Sequence, residues 1–289
     1  MEFLQGEYAR ELSLAGSMAI LAVAATFVAN LLGFFRIDPR TRPKLSWKVV
    51  CGIFGLFFLL QLLVIPSLIY LSQAVSKGVF RSSFQLSLTS QILFSAAASL
   101  ISLAAFAIFL ACLSDASQRA IMGRKRAWPF ARGVLCWFFA FPLVTAFGVL
   151  MQLFVTWFFQ ADPKKQVAVA FVKSTMDNPP LFLVVFVMVV GFVPVVEEFL
   201  FRGCLQSWMT SKWKKRWAIP VASCIFALFH FSWLQGVNNI EILTSLFLLS
   251  CILGYVYEKE ESLFASIGLH TAFNTMTIFF MVLDVDSAL

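Results

Sequence analysis

Six polar side chains lie inside long apolar stretches in the last third of the chain. Burying an ionisable side chain among apolar ones is costly, so its presence there points first to a functional site. Carboxylates and imidazoles are also common proton-transfer groups in enzymes. The sequence thus predicts an acid–base site formed by these residues, which include both histidines of the chain: Glu197, Glu198, Arg202, His230, His270 and Asn274.

Helical spacing assigns different roles to the two adjacent glutamates. Glu198 and Arg202 are four residues apart with the acid first, which is the favourable order for an ion pair on one helix face. Glu197 is rotated by roughly 100° from Glu198 and shares that partner less easily. We therefore expect Arg202 to hold Glu198, and Glu197 to remain available as a general base.

A second pair with helical spacing, His270 and Asn274, presents an imidazole and a carboxamide on one face. Two such donors can stabilise a developing oxyanion. His230 ends a separate apolar segment, so it reaches Glu197 only if the two segments pack together. The predicted site therefore requires a bundle that brings three late helices into contact.

The composition identifies the elements that must hold these residues. The chain has 289 residues, of which 60% are hydrophobic and 13% are charged, and its mean hydropathy is +0.86. Soluble domains carry about a quarter charged residues, so this composition excludes a soluble globular protein, a disordered chain and a coiled coil. It predicts an all-α polytopic membrane protein.

Apolar stretches long enough to cross a bilayer define the predicted helices. About 20 apolar residues are needed, because the hydrocarbon core is about 30 Å thick and a helix rises about 1.5 Å per residue. This criterion predicts eight spans: 13–35, 48–72, 86–113, 133–160, 181–204, 218–236, 240–257 and 263–283. Residues 1–180 would then form a transmembrane scaffold of four helices, and residues 181–289 the catalytic core in the C-terminal half.

The basic residues orient the predicted bundle. The net charge is +7, and fifteen of the 22 Lys and Arg residues lie in 36–48, 119–132, 212–216 and at Lys259, against six on the other side of the predicted bundle. By the positive-inside rule the cation-rich loops face the cytoplasm and both termini face outward, and we expect the site to open toward the cytoplasmic leaflet. The same segregation accounts for the excess of cations, so no nucleic-acid partner is predicted.

Other chemistries use the same residue types. A Glu–Arg pair or a single His can be an interhelical clasp, and acids and histidines within spans also build proton relays. Glu197, His230 and His270 are the expected ligands if zinc is bound, although H-E-x-x-H is absent and no cofactor is expected. Ser223 and Cys224 are compatible with a nucleophile near His230 but are also common in membrane helices. The six cysteines lack metal or disulfide spacing and are expected in the core.

Three motifs resemble those of the CPBP family, which comprises the type II CAAX prenyl endopeptidases and their bacterial abortive-infection-like relatives. The motifs are Glu197-Glu198-x-x-x-Arg202, Phe226-x-x-x-His230 and His270-x-x-x-Asn274. The approach to the last motif, Gly254-x-x-Tyr257, is also similar, while Ser250 stands where many members have Gly. Each motif is weak alone, but all three in the family's order within 181–283 are a specific signal.

The resemblance implies an intramembrane endopeptidase. In the family the first glutamate and the first-motif histidine are thought to activate a water, and these positions correspond to Glu197 and His230. The later histidine and asparagine are proposed to hold the oxyanion, which assigns that role to His270 and Asn274. The remaining pair, Glu198 and Arg202, matches positions needed for activity. A glutamate-dependent mechanism is the better-supported view of the family, and a metal-dependent one is the alternative.

The resemblance also implies partners and location. The expected substrate is a peptide or protein, as in CAAX-type processing of a lipidated one, and the expected surroundings are the bilayer of a bacterial plasma membrane. Two competing interpretations remain: a membrane immunity or scaffold protein that binds a peptide without cleaving it, and a proton-coupled carrier. Glu197→Gln separates the first of these from a protease, because binding alone should survive the substitution.

Overall fold

The computed structural model describes residues 2–31, 33–34, 43–70, 87–124, 128–162 and 166–283. Within these ranges the regular structure is helical, and the strand-like pairing is limited to an isolated bridge between Gly123 and Ser262. The predicted all-α membrane fold is confirmed. Several cationic positions used to predict the orientation lie outside the described residues: Arg36, Arg40, Arg42, Lys77, Arg81, Lys125, Arg126, Lys164 and Lys165.

Eleven helices follow one another through the described part of the chain, and two of them, α2 and α8, continue through widened π turns. The helices are α1 Glu2–Leu31, α2 Trp47–Tyr70, α3 Leu88–Ala111, α4 Asp115–Met122, α5 Pro129–Leu135, α6 Trp137–Phe159, α7 Val167–Lys173, α8 Pro179–Thr210, α9 Lys215–Leu228, α10 Asn239–Glu260 and α11 Leu263–Val282.

Short polar residues determine where several of these helices begin. Ser46, Ser87, Ser114 and Asn178 occupy the N-caps of α2, α3, α4 and α8, and each side chain accepts a hydrogen bond from a backbone N–H of the first turn. Such bonds satisfy N–H groups that have no partner within the helix. The sharp starts of these helices therefore follow from single residues in otherwise apolar sequence.

The number of full-length spans differs from the prediction. Seven helices of the described chain are long and apolar enough to cross a membrane, whereas the sequence predicted eight spans. The predicted span 218–236 is instead α9, which has 14 residues, followed by an irregular segment that contains a 3₁₀ turn at Trp233–Asn238. Fourteen residues rise roughly 21 Å, less than the hydrocarbon thickness of about 30 Å.

The irregular segment after α9 is held by one asparagine at the start of α10. The Asn239 side chain accepts from the backbone N–H of Ser232 at 3.1 Å, and it donates to the carbonyls of Ser232 at 2.7 Å and Gly236 at 2.9 Å. Backbone outside a helix is tolerated at membrane depth only where such partners replace water. The Asn238 amide also donates to the Asp162 carbonyl at 3.2 Å, which joins this segment to the residues after α6.

At the opposite end of α9, side chains from several helices form a second buried polar group, which we call the cation-end cluster. Lys215 forms an ion pair of 3.0 Å with Glu258, and Gln206 donates to Glu258 at 3.2 Å and to the Gly254 carbonyl at 2.9 Å. Since Lys215 begins α9 and Glu258 lies near the end of α10, the two helices run antiparallel. The cluster is completed by Ser207 and Tyr257, whose hydroxyls are 2.6 Å apart.

Helices α5 and α11 approach each other more closely than ordinary side chains permit. A Cβ atom at Gly133 would overlap the Ala265 carbonyl, and one at Gly268 would overlap the Phe130 carbonyl. Small residues allow membrane helices to pack backbone against backbone in this way. The contact fixes the first half of α11, which carries His270, against a rigid neighbour.

The cysteines only partly match the prediction that they lie in the core. All six are free; Cys136 and Cys204 are buried and Cys251 is partly buried. The other three, Cys51, Cys112 and Cys224, are exposed on the surface of the bundle. An exposed thiol is compatible with a lipid-facing helix position, because sulfur behaves there as a small apolar group.

Candidate active site

A proline shapes α8 immediately before the two glutamates. Pro194 has no N–H to donate to the Val190 carbonyl four residues earlier, and a proline ring crowds that carbonyl. The helix responds with a π turn at Met188–Phe192, in which the Val193 N–H bonds five residues back to the Met188 carbonyl. The carbonyls of Val189 and Val190 are consequently left without their usual helical partners.

Side chains of α11 donate hydrogen bonds to both of these carbonyls. The Asn274 side-chain amide donates to the Val189 carbonyl at 2.9 Å, and the Thr271 hydroxyl donates to the Val190 carbonyl at 3.0 Å. Two hydrogen bonds therefore dock α11 onto the widened turn of α8. Because His270 adjoins Thr271 in the chain, the same contact sets the depth of its imidazole relative to the glutamates.

The predicted ion pair within α8 is present. Glu198 Oε2 lies 3.2 Å from Arg202 Nε, and the two side chains are 0% and 1% exposed. The other Glu198 oxygen, Oε1, lies 3.0 Å from His270 Nδ1. A buried charge pair of this kind needs further hydrogen bonds to offset its desolvation, and His270 provides one of them.

Arg202 has additional contacts on α9 and α10. Its Nη2 donates to the Ser250 hydroxyl at 3.1 Å, and its guanidinium carbon lies 4.6 Å from the centre of the Phe226 ring. The ring face attracts the cation, which is worth about 2 kcal/mol where water is excluded. Arg202 thus links three helices at the level of the glutamates.

Glu197 faces the two histidines instead of Arg202. Its Oε1 lies 3.6 Å from His230 Nε2, and its Oε2 lies 3.9 Å from His270 Nε2. The Glu197 side chain is 21% exposed, whereas the adjacent Glu198 is fully enclosed. These distances exceed those of a direct N–H···O bond but permit one bridging water.

The proton positions on the two imidazoles follow from their other partners. His230 Nδ1 lies 2.9 Å from the Phe226 carbonyl, which can only accept, so Nδ1 carries a proton. His270 Nδ1 faces the carboxylate of Glu198, which is paired with Arg202, so this nitrogen also carries a proton. In a neutral ring the Nε2 atom then carries a lone pair and can accept a hydrogen bond. Both Nε2 atoms point to Glu197, which makes it the centre of the site.

Five of the six residues singled out from the sequence therefore form one contact network: Glu197, Glu198, Arg202, His230 and His270. The sixth, Asn274, lines the same cavity one helical turn beyond His270, where one of its amide hydrogens is engaged by Val189. The expected pairing of His270 with Asn274 on one helix face is thus compatible with the structure, with one amide hydrogen of Asn274 remaining.

Two cavities meet at Glu197 and His230. The larger has a volume of about 370 Å³ and is lined by α6, α7, α8, α10 and α11, with Glu197, His230, His270 and Asn274 in its wall. The smaller, of about 350 Å³, lies between α2, α3 and α8 and includes Gln61 and Ser102. The glutamate and His230 belong to both walls, so the site is accessible from two sides.

The larger cavity extends away from the cation-end cluster. Its far wall contains Gln166 and Ala168 at the start of α7, and Glu241 at the start of α10. Ala168 is exposed, so the cavity reaches the surface there. The opening of the site toward the cytoplasmic leaflet stays a prediction.

The residues considered as zinc ligands do not fit a metal as they are placed. Donor atoms of a tetrahedral zinc site stand about 3.3 Å apart, given zinc–ligand bonds of about 2.0–2.1 Å. The Glu197 oxygens are 3.6 and 3.9 Å from the two Nε2 atoms. Among the residues that the structure describes, no group of three or more His, Cys, Asp or Glu side chains is arranged to hold a metal ion.

Several contributors to the site were not found from the sequence. Thr271 and the backbone carbonyls of α8 position α11, and Ser250 holds Arg202. Pro194 was the available signal for the freed carbonyls, since a proline within a span leaves an unpaired carbonyl four residues earlier. Ser223 and Cys224, considered as nucleophiles, line neither cavity.

The fold and the site define a class of protein: a polytopic helical membrane protein in which two histidines and an Arg-paired carboxylate surround a partly accessible glutamate. A family model described as type II CAAX prenyl endopeptidase Rce1-like matches residues 179–276. The match covers the segment that carries the three motifs, and so it supports the predicted resemblance to the CPBP family of membrane peptidases. No curated protein and no solved structure matches the chain at a significant level.

Proposed function

We propose that this protein is an intramembrane endopeptidase in which Glu197 activates a water molecule for attack on a peptide bond. The proposal rests chiefly on one observation: the Glu197 carboxylate lies between two imidazole Nε2 atoms at distances that admit a bridging water. A carboxylate and a histidine that share a water are a suitable pair for general base catalysis. The family match supports a peptidase but assigns no role to individual residues.

The hydrolytic step can be written with the residues in place. The water donates one hydrogen bond to Glu197 and the other to His230 Nε2, which directs its remaining lone pair toward the substrate carbonyl carbon. Glu197 takes a proton as the C–O bond forms and the carbonyl electrons move to oxygen. Glu197 then returns this proton to the amide nitrogen as the C–N bond breaks, releasing an acid and an amine.

The developing oxyanion needs donors on the other side of the carbonyl. His270 supplies one through Nε2 when its ring carries a second proton, and Asn274 supplies the amide hydrogen that Val189 does not use. Both side chains line the same cavity as Glu197.

The two cavities favour an endopeptidase over an enzyme that trims chain ends. A chain bound at Glu197 can continue into the cavity between α2, α3 and α8 on one side and into the larger cavity on the other. An extended peptide advances roughly 3.3 Å per residue, so a few residues fit on each side of the attacked bond. We take a lipid-modified C-terminal peptide as the first substrate class, since the matching family is described by prenyl endopeptidases.

The experiment uses the full chain purified in lipid nanodiscs and a prenylated C-terminal peptide that carries a fluorophore and a quencher. We expect cleavage by the wild type, and loss of cleavage in Glu197→Ala and His230→Ala. Glu260→Gln, which alters a carboxylate at the far end of α10, serves as the control. Elution volume and thermal unfolding establish that each variant is folded.

Retained turnover in both site variants would refute the proposal. An uncleaved peptide that binds equally well to wild type and Glu197→Gln would instead favour the competing view of a peptide-binding scaffold or immunity protein. A strong chelator tests the metal alternative in the same assay. We expect unchanged turnover, because the mechanism needs only side chains of the chain.

A further inference from the structure

A third carboxylate lies in the larger cavity, and the proposed reaction does not use it. Glu241 belongs to the first turn of α10 and lines the cavity at the end opposite Glu197. Among the described residues, no ion pair or side-chain hydrogen bond involves its carboxylate. The Thr244 hydroxyl donates to the Glu241 backbone carbonyl at 3.1 Å, so this contact does not involve the carboxylate.

Apart from a few neutral polar side chains such as Gln166 and Ser245, the cavity wall near Glu241 is apolar. The cavity wall between Glu241 and the site is made largely of aliphatic and aromatic side chains, including Leu249, Val172 and Ile278. A carboxylate in such a wall is desolvated and attracts a positive charge strongly, because little water screens it. A cation that enters from the α7 end meets this carboxylate first.

The distance between Glu241 and the site corresponds to a short peptide. On α11 the cavity is lined from His270 to Met281, which spans roughly 16 Å at 1.5 Å per residue. On α10 it is lined from Glu241 to Leu249, roughly 12 Å by the same rise. An extended chain covers these lengths with about four or five residues at roughly 3.3 Å each.

We infer that Glu241 binds a cationic group of the substrate, a lysine or arginine side chain or a free amino terminus, about four or five residues from the cleaved bond. This inference rests on the proposed endopeptidase function and names the substrate class of the same site: peptides with a positive charge on one side of the cleavage point. Glu241 is then a specificity-determining residue, and it takes no part in the proton transfers at Glu197.

Glu241 could also act simply by stabilising the start of α10, and this role would give a different experimental result. An acidic residue in the first turn of a helix interacts favourably with the helix dipole. This effect would make Glu241→Gln less stable to heat, but it would not make binding depend on the charge of the peptide. The test therefore varies the charge of both partners.

The probes are three prenylated peptides that are identical except for one position, which carries lysine, norleucine or glutamate five residues from the cleaved bond. Binding is measured by fluorescence anisotropy in nanodiscs of zwitterionic lipid, in a Glu197→Gln background that binds without cleaving. We expect the lysine peptide to bind about tenfold more tightly than the norleucine peptide. Glu241→Gln should abolish this difference, and Glu241→Lys should make the glutamate peptide the preferred one.

The matched control is Glu260→Gln, which removes a carboxylate from the other end of α10 and should preserve the preference. Moving the lysine to two residues from the cleaved bond should also abolish the difference, since Glu241 is then out of reach. Equal binding of the lysine and norleucine peptides, or a preference that survives in Glu241→Gln, would overturn the inference. Cleavage of all three peptides at one rate would refute the inference and leave the proposed endopeptidase function intact. Binding with a charge preference but without cleavage by the wild type would refute the proposed function and leave the cation-binding role of Glu241 intact.

Discussion

The cation-end cluster and the candidate site both join α8 to later helices through buried polar side chains, but they differ in what surrounds them. In the cation-end cluster Lys215, Glu258 and Gln206 bind one another and the Gly254 carbonyl, and none of them lines either cavity. In the site, Glu197 borders both cavities and has no direct hydrogen bond shorter than 3.5 Å to either imidazole.

The difference separates polar groups that hold helices together from the glutamate for which we propose a chemical role. Glu258 is satisfied by partners, so its contribution is stability. Glu198 is likewise held by partners, Arg202 and His270, although it lies next to the site. Of these three carboxylates, Glu197 is the one that lines the cavities, so substituting it should alter the reaction and leave the fold intact.

The largest effect is expected at Glu197. Glu197→Gln removes the proton acceptor while keeping the shape of the side chain, and loss of a general base lowers turnover by about 10²–10⁴-fold. Thermal unfolding should change little, because the carboxylate holds no ion pair with Arg202. Single-turnover cleavage in nanodiscs and a thermal scan measure the two quantities. A large drop in the unfolding temperature would show that Glu197 stabilises the fold as Glu198 and Glu258 do, and would contradict the distinction between them.

Pro194 should have the next largest effect on turnover. In Pro194→Ala the restored N–H can bond to the Val190 carbonyl, so the π turn can close and compete with the hydrogen bonds from Thr271 and Asn274. We expect turnover to fall by about tenfold to a hundredfold, since small misplacements of catalytic groups have effects of this size. Pro66→Ala is the control: it alters an equivalent π turn, Leu60–Val64 of α2, and should affect turnover less.

Substitution in the cation-end cluster should produce the opposite pattern. Glu258→Gln leaves Lys215 without its partner, and we expect the free energy of unfolding to fall by about 2 kcal/mol, below the range for fully buried pairs because Lys215 is partly exposed. Turnover per folded molecule should stay within about threefold of the wild type. Denaturation in mixed micelles followed by activity of the folded fraction measures both values, and a loss of turnover without a loss of stability would contradict the assignment.

The smallest effect is expected at Ser250. Its hydroxyl accepts a hydrogen bond from Arg202. A hydrogen bond between a neutral and a charged group contributes about 1.5–3 kcal/mol to stability. In Ser250→Gly a water can replace the hydroxyl, so we expect a two- to threefold change in turnover. Ser250→Val, which fills the space without an acceptor, should be clearly worse. Equal turnover in the two variants would show that Arg202 does not need this partner.

The site was largely predictable from the sequence because its residues break a strong rule. Glu197, His230 and His270 are ionisable side chains within spans, and the cost of placing them there makes each one conspicuous. The spacing of Glu198 and Arg202 was sufficient to predict their ion pair, since helix geometry alone brings residues four apart together. The long helices followed from length and hydropathy for the same local reason.

Features that depend on tertiary structure were not predictable in this way. The segment 218–236 is apolar enough to resemble a span, and its early break after Leu228 is stabilised by Asn239, which belongs to the next helix. The direction of the larger cavity depends on how α7 and α10 meet. Glu241 was overlooked because it lies at the edge of a predicted span, where ionisable residues are ordinary.

The early break of α9 has a consequence for how the protein enters the membrane during synthesis. A segment of 14 helical residues falls short of the length that inserts independently, which is about 20 residues. Part of the backbone that follows α9 finds its hydrogen-bond partner in Asn239, at the start of the next helix. We therefore expect α9 and α10 to enter the lipid together as a hairpin, so that a nascent chain that stops short of α10 carries His230 on a segment that is not yet inserted.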